Sequence, residues 1–295
     1  KLQTGYRDVA QWLDWAFTLE TPGGFAVQNT GDRSGGSGAF DLAAAARSLA
    51  GMSSAYLARP MLFPLLACSL VRTTLRHGPT RQSPYGFAVF ALLLNVLDRI
   101  DVAAGVGDLS ARLLDRWDDR AVRARTEHVL YNQVKTYVDP LRSSLDAQMR
   151  VYRLGMDTGD LEYAAWALQT ICCNGFYAGL DLADLVPRID RHLASMRRHG
   201  QAPALASSAP WAQLCRNLAG LAKDPRRLVG PEFDEDAELA RLRAAGFRGA
   251  ICVLTTAGTF ARYAFRDLEG ALARADAGAP AHTTAGRAAR GDPAR

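Results

Sequence analysis

The stretch that decides the fold covers residues 159–181 and reads GDLEYAAWALQTICCNGFYAGLD. Gly159 is predicted to end one helix and Asp160 to cap the next, because glycine is favoured just after a helix and aspartate just before one. Gly179 and Asp181 repeat this stop and start. Between them, small or apolar residues recur at the i, i+3, i+4, i+7 spacing of a helix face: Leu161, Ala164, Ala165, Leu168, Ile171, Cys172 and Gly175. The segment therefore predicts short helices joined back to back.

The same signals continue over most of the chain. Asp139-Pro140 resembles a capping residue followed by a proline at the first helical position, with an apolar face continuing from Leu141. Alternating patterns typical of β-strands are scarce. Predicted helix pairs, each with a tight turn, cover about 85–118, 122–158, 159–199, 203–244 and 247–276. This period is typical of helical repeat arrays and predicts an all-α fold, an α-solenoid of degenerate tetratricopeptide-like helix pairs. A single all-α bundle is the structural alternative.

Two segments are similar to the turn and helix start of a tetratricopeptide repeat, namely GDLEYA at 159–164 and FRDLEGAL at 265–272. In such repeats a small residue lets two helices approach closely, and an aromatic or apolar residue packs between them. The residues assigned to this structural motif are Pro140, Gly159, Asp160, Tyr163, Ala164 and Gly179.

Composition divides the chain into four parts. Residues 1–20 carry a short amphipathic helix pattern, and residues 21–40 are so rich in glycine that they predict a loop or linker. Residues 41–276 form the predicted helical-repeat domain. Residues 277–295 contain mostly Ala, Gly, Pro, Thr and Arg without an apolar period, which predicts a disordered tail.

The charge pattern and the cysteine content argue against a nucleic-acid site, a disulfide framework and a zinc site. The net charge is +5, but basic residues alternate with acidic ones, and this pattern is typical of a solvated helix surface rather than of a nucleic-acid site. Five cysteines without a C-x-x-C pair predict neither a disulfide framework nor a zinc site. No stretch reaches the length of a membrane span, and no signal peptide is recognised. We expect a cytoplasmic protein that binds neither nucleic acid nor membrane.

Residues 55–277 resemble the helical region of very large bacterial and fungal signalling proteins. The resemblance rests on an ordered set of short matches: AYLARP (55–60), LRHG (75–78), SPYGFA (83–88), RART (123–126), DPLR (139–142), TGDLEYA (158–164) and FYAG (176–179). In that family, the region follows a Ser/Thr kinase-like domain and a STAND-type AAA ATPase, and precedes a GAF domain and often a histidine kinase. Thr136-Tyr137 departs from the His-Trp that the family tends to carry.

The resemblance implies a non-catalytic helical-repeat scaffold or regulatory segment of a large ATPase-linked signal-transduction protein kinase. Its partners would be the neighbouring ATPase and GAF or kinase domains, other proteins, or a small effector. One alternative is the inducer-binding sensor solenoid of a STAND-type transcription activator, and a downstream helix-turn-helix would discriminate it. An alternative of another class is an all-helical enzyme, which detectable turnover would support.

No catalytic residue, metal site or cofactor is predicted. A phosphate loop of the type GxxxxGK[ST] is absent, and with three lysines in the whole chain there is no kinase signature either. Cys172-Cys173 are predicted to be buried packing residues. The acidic run at 234–238 is predicted to favour the N-terminal dipole of a helix that begins there. Structural roles are therefore predicted for both the cysteine pair and the acidic run.

Polar residues inside apolar helices are the remaining candidates for binding. Asn95, Asn132 and Asn174 carry amides that need hydrogen-bond partners when buried. Bonds to a neighbouring helix are one interpretation. The other is a ligand on a concave surface, since solenoids bind peptides and effectors there. The predicted groove residues are Tyr131, Asn132, Asn174 and Tyr177.

Overall fold

The computed structural model describes residues 62–117 and 119–278. Most of them are helical, and the described strands are only two residues long, so the all-α class is confirmed. The predictions for residues 1–20 and 21–40, and for residues 41–61 at the start of the repeat domain, lie outside the described residues. So do the 55–60 match and residues 279–295 of the predicted tail. Residues 277 and 278 are the last described residues of a helix.

The described residues divide into two compact units between Val138 and Asp139. The helices of the first unit are α1 (Leu62–His77), α2 (Ser83–Val96), α3 (Ile100–Arg116) and α4 (Arg120–Val129). Helix α2 is buried over nearly its whole length and contacts α1, α3 and α4. A helix that is apolar on all sides belongs at the centre of a bundle, and α2 is the core of this unit.

The chain after α4 does not form the tight turn expected within the pair 122–158. A π-helical segment (Leu130–Val134) and a short 3-10 helix (Lys135–Tyr137) follow α4, and the next helix belongs to the second unit. The amide nitrogen of buried Asn95 in α2 donates to the carbonyl oxygen of Gln133 at 2.8 Å. A side chain that bonds to a carbonyl of the helix ladder stabilises such an irregular turn. The prediction of a regular helix pair was wrong here.

The second unit contains seven helices and a short hairpin within the described residues. They are α5 (Ser143–Thr158), α6 (Leu161–Tyr177), α7 (Leu182–Arg198), α8 (Ala202–Leu218), β1 (Val229–Gly230), β2 (Phe233–Asp234), α9 (Glu235–Ala244), α10 (Arg248–Ala264) and α11 (268–278). Pro140 does not occupy the predicted first helical position, because α5 begins three residues later. The backbone nitrogen and hydroxyl of Ser143 both donate to the carbonyl of Pro140, which closes a turn there.

The junction between α5 and α6 has the predicted glycine stop and aspartate cap. Gly159 adopts a left-handed conformation with φ of 77°, and the Asp160 carboxylate caps α6 by accepting from the backbone nitrogen of Tyr163. A Cβ added to Gly155 in α5 would lie 3.0 Å from the Cβ of Ala164 in α6 and 2.9 Å from the carbonyl oxygen of Asp160. The two helices therefore touch at the small residues that the sequence suggested.

Helices α6, α8 and α10 are equivalent in length, ending and packing. Each has 17 residues and is followed by a left-handed residue, Gly179, Gly220 or Arg266. The three backbone hydrogen bonds that close each end follow one pattern. Helix α8 contacts α6 and α7, and α10 contacts α8 and α9. We call α6, α8 and α10 the ladder helices.

The connection between α8 and α9 differs from the tight turn expected for the pair 203–244. Residues 219–234 form a long loop that contains the antiparallel β1–β2 hairpin, with Val229 opposite Asp234. The buried amides of Gln213 and Asn217 in α8 hold this loop. They donate to the backbone carbonyls of Val229, Pro225 and Arg227 at 2.6–3.2 Å. Buried side-chain amides thus replace the turn that sequence periodicity suggested.

Replacement of Gly155 by alanine is expected to lower the free energy of unfolding of the second unit by about 1–3 kcal/mol. The added methyl would collide with backbone and with Ala164, and this outweighs the gain in helix propensity of roughly 1 kcal/mol. Gly105 in α3 is the matched control, since a Cβ there meets nothing within 4 Å. Gly105→Ala should be neutral or stabilising. Urea denaturation followed by circular dichroism tests both, and equal effects would contradict the close-contact explanation.

Candidate binding surface

The predicted groove residues fall in both units, and each unit is described by itself. Tyr131 and Asn132 are half-buried in the π-helical segment of the first unit, where the carbonyl oxygen of Asn132 accepts from the Thr136 hydroxyl at 3.0 Å. In the second unit, Asn174 is buried and its amide nitrogen donates to the Ser144 hydroxyl in α5 at 3.0 Å. This amide joins two helices. Tyr177 is exposed at the end of α6.

Tyr177 belongs to an aromatic cluster, which we define as Phe176, Tyr177, Trp211 and Phe260. The Tyr177 and Trp211 rings are 5.2 Å apart, and the Phe176 ring lies 5.7 Å from Trp211 and 5.2 Å from Phe260. The cluster joins all three ladder helices, because these residues come from α6, α8 and α10. Edge-to-face packing of this kind adds stability beyond the burial of apolar area.

One side of the aromatic cluster is open. Trp211 is buried, whereas Tyr177 and Phe260 are exposed. Burial of part of its ring raises the pKa of the Tyr177 hydroxyl, which is therefore neutral at physiological pH and able to donate a hydrogen bond. Close by, the guanidinium of Arg142 donates to the carbonyl of Ala178 at 3.3 Å. The surface offers aromatic faces, a hydroxyl and a cation to a partner.

Sequence reasoning identified Tyr177 but missed Trp211 and Phe260. Cys173 in α6, Leu214 in α8 and Phe260 in α10 each lie six residues before the left-handed residue that follows the helix. Leu214 is fully buried at this position, whereas Phe260 is exposed. The repeated helix ends therefore give no signal for the exposure of Phe260, because that depends on which helix packs against it.

Three thiols and one imidazole of the second unit, those of Cys172, Cys173, Cys215 and His192, pack in its core. The Cys172 sulfur lies 3.8 Å from Nδ1 of His192. Burial raises the pKa of the Cys172 thiol far above its ordinary range, and raises the pKa of Cys173 and of Cys215 to about 12. Burial also lowers the pKa of His192 to about 4. The thiols and the imidazole are therefore uncharged at neutral pH, in contrast to the thiolate that nucleophilic chemistry requires.

His192 makes the stability of the second unit dependent on pH. In the unfolded chain the imidazole titrates near its ordinary 6.5, and in the folded chain near 4, where Arg188 and Arg191 add to the effect of burial. Between these values only the unfolded state binds the proton. We expect the free energy of unfolding to fall by up to about 3 kcal/mol as the pH drops from 7 to 4.

The His192→Gln variant should lose this component of the pH dependence, and thermal denaturation at several pH values measures it. His199 is the matched control, because it is less buried and its Nδ1 donates to the backbone carbonyl of Ser195 at the end of α7. If His192→Gln and His199→Gln had the same pH profile as the original chain, His192 would not be the group responsible.

The acidic run at 234–238 has two roles, of which the sequence predicted one. Asp234 caps α9 by accepting from the backbone nitrogens of Asp236 and Ala237, which lowers the pKa of its carboxyl. Glu235, in contrast, is fully buried. Its carboxylate accepts two hydrogen bonds from Arg262 in α10, at 2.5 and 3.2 Å, and lies 3.4 Å from Arg274 in α11. The expectation that it only favours a helix dipole was wrong.

Gly258 makes room for this ionic network. A Cβ on Gly258 would lie 3.0 Å from Nε of Arg274, 3.1 Å from a carboxylate oxygen of Glu235 and 3.3 Å from Arg262. The charged groups therefore rest directly on the backbone of α10. Because Glu235 follows the hairpin and its partners are 27 and 39 residues away, the network fixes the loop 219–234, α9, α10 and α11 relative to one another.

Glu235→Gln is expected to lower the free energy of unfolding by about 3–5 kcal/mol, because it leaves half-buried Arg262 without its carboxylate and buried Arg274 with only the exposed Asp236, at 3.5 Å. Glu238 is the matched control. It pairs with Arg241 on the same helix, and loss of an exposed pair of this kind costs under about 1 kcal/mol. Chemical denaturation of Glu235→Gln and Glu238→Gln gives the comparison. Equal losses would show that the buried position of Glu235 is not what matters.

Other kinds of site are not found in the described part of the chain. No group of three or more His, Cys, Asp or Glu residues within 62–117 and 119–278 is placed to hold a metal ion. A cavity of about 10 Å³ beside Leu168 and Met196 has room for roughly one water molecule. None of the described helices has the length and apolarity needed to cross a membrane. The aromatic cluster therefore remains the surface best suited to recognition.

Comparison of the chain with protein-family models, with curated proteins and with solved structures finds no match.

Proposed function

We propose that this chain is a non-catalytic helical-repeat scaffold, a regulatory segment of a large cytoplasmic ATPase-linked signal-transduction protein kinase. In this proposal the second unit is a short α-solenoid of degenerate tetratricopeptide-like pairs. The pairs are α6 with α7, α8 with α9, and α10 with α11. Its partners are the neighbouring ATPase and GAF or kinase domains.

One observation carries the proposal: α8 and α10 each pack against both the preceding helix and the previous ladder helix. This pattern of contacts with near neighbours is typical of repeat arrays, in which every unit buries its apolar face on the next. The differing spacing of Gly179, Gly220 and Arg266 fits a degenerate array rather than a consensus one.

The scaffold would act through binding. A partner segment with an apolar or aromatic side chain would pack on the exposed rings of Tyr177 and Phe260, with an acidic group near Arg142. The bound arrangement of the neighbouring domains would then be favoured over others, which is a shift in population and not a chemical reaction. The coupling of such shifts is typically worth about 1–3 kcal/mol.

The test begins with the gene that encodes this sequence. We expect its reading frame to encode a lysine-bearing phosphate loop upstream and a GAF or histidine kinase signature downstream. In that longer protein, Tyr177→Ala with Phe260→Ala should change the ratio of kinase output to ATP hydrolysis by about fivefold or more. Tyr137→Ala is the matched control, since Tyr137 is equally exposed but lies in the first unit.

Other outcomes of this test contradict the proposal. A downstream helix-turn-helix in place of the kinase signature would favour the sensor solenoid of a transcription activator. Turnover of a substrate by residues 1–295 alone, lost on substitution of named residues, would favour an all-helical enzyme. Kinase output that is insensitive to Tyr177 and Phe260 would exclude the aromatic cluster as the coupling surface.

A further inference from the structure

The last helix pair of the second unit, α10 and α11, presents an apolar groove. Helix α8 lies against the pair α6–α7, and helix α10 lies against the pair α8–α9. No described helix lies in the corresponding position against α10 and α11. The residues exposed there are large and apolar. We define this end groove by Phe260, Tyr263, Leu268 and Leu272.

The pair α6–α7 gives the register of the end groove. The ends of α6 and α10 have the same hydrogen bonds, so Tyr263 corresponds to Phe176. Asp181 caps α7, and Asp267 accepts from the backbone nitrogen of Gly270 at the start of α11, so Leu272 corresponds to Val186. The full set of correspondences is Phe260 with Cys173, Tyr263 with Phe176, Leu268 with Leu182, Leu272 with Val186, and Ala275 with Ile189.

Equivalent positions are covered in one pair and open in the other. Phe176, Leu182 and Val186 are partly buried against the core clusters to which α8 contributes. In the last pair the corresponding side chains are 65% exposed at Tyr263, 62% at Leu268 and 67% at Leu272. The difference is the missing helix, because the pairs share their helix ends and caps. Contiguous exposed apolar residues of this kind mark a binding surface.

Helices α8 and α10 show which side chains pack in such a groove. Helix α8 contributes Ala204, Ala212 and Cys215 to the core it shares with α6 and α7. Helix α10 contributes Ala250, Ala257 and Ala261 to the next core, together with the larger Ile251 and Leu254. The small residues let each ladder helix approach the preceding pair closely, and the larger ones fill the space beside them. The occupant of the end groove must therefore be an amphipathic helix whose apolar face combines small and large residues.

We propose that the end groove binds an amphipathic α-helix of a partner protein, with small and large apolar residues on one face, parallel to α10 and in the position of a fourth ladder helix. The inference rests on the repeat arrangement proposed above and is continuous with the α6–α8–α10 contacts. A second copy of the chain would fit less well, since a twofold contact places the bulky rings and leucines of two end grooves against each other.

The experiment measures fluorescence anisotropy of a labelled peptide with the sequence of α8, residues 202–218 with Cys215→Ser, added to the full chain. This helix already fills the equivalent groove of α6 and α7. We expect saturable binding that Leu272→Glu weakens by about tenfold or more, because a carboxylate would be buried against the apolar peptide. The matched control is Leu221→Glu, because Leu221 is 68% exposed in the loop after α8. It should leave binding unchanged.

Three results would overturn the proposal. One is absence of saturable binding of the peptide, and another is equal binding by the original chain and Leu272→Glu. The third is a dimer, detected by sedimentation, that Leu272→Glu dissociates and the peptide does not, because a second copy would then be the occupant. Phe260 belongs to both the end groove and the aromatic cluster, but Leu272→Glu leaves the cluster unchanged, so failure of peptide binding and failure of the kinase-output test remain distinguishable.

Discussion

The buried carboxylate of Glu235 is the interaction on which the end of the second unit depends. It is the first residue of α9, yet its ion pairs are with Arg262 of α10 and Arg274 of α11. Its backbone nitrogen donates to the carbonyl of Leu228, which ties it to the hairpin as well. Removing a carboxylate and guanidinium groups from water costs several kcal/mol per ion, and only good geometry offsets this cost. One residue therefore fixes four elements in a single arrangement.

The ionic network and the aromatic cluster hold different sets of helices together. The cluster joins α6, α8 and α10 through rings that tolerate small shifts, since the energy of ring packing changes gradually with distance. The network joins α9 to α10 through hydrogen bonds that depend strongly on geometry, and α9 to α11 through an ion pair between Glu235 and Arg274. The buried thiols and the neutral imidazole of His192 complete the interior. The rings of Tyr177 and Phe260, in contrast, are exposed at the surface.

The sequence predicted the features that depend on neighbouring residues and missed those that depend on distant ones. The glycine stop and aspartate cap at 159–160 are local, because they involve φ angles and hydrogen bonds within four residues. The π-helical turn after α4 depends on Asn95, a residue of another helix. The loop 219–234 depends on amides of α8. Tyr177 was predicted from its place near Asn174, a polar residue in an apolar helix, but the burial of Glu235 required partners 27 and 39 residues away.

The same network gives the end groove its shape before any helix binds. Arg262 lies in α10 and Arg274 in α11, and both bond to one fixed carboxylate, so the two walls of the groove cannot separate freely. Association costs less free energy when the receiving surface is already ordered. Binding would therefore cost only the free energy of ordering the ligand. By this argument the charged interior and the apolar end surface form one functional arrangement, in which buried charge supplies the rigidity that exposed leucines need for recognition.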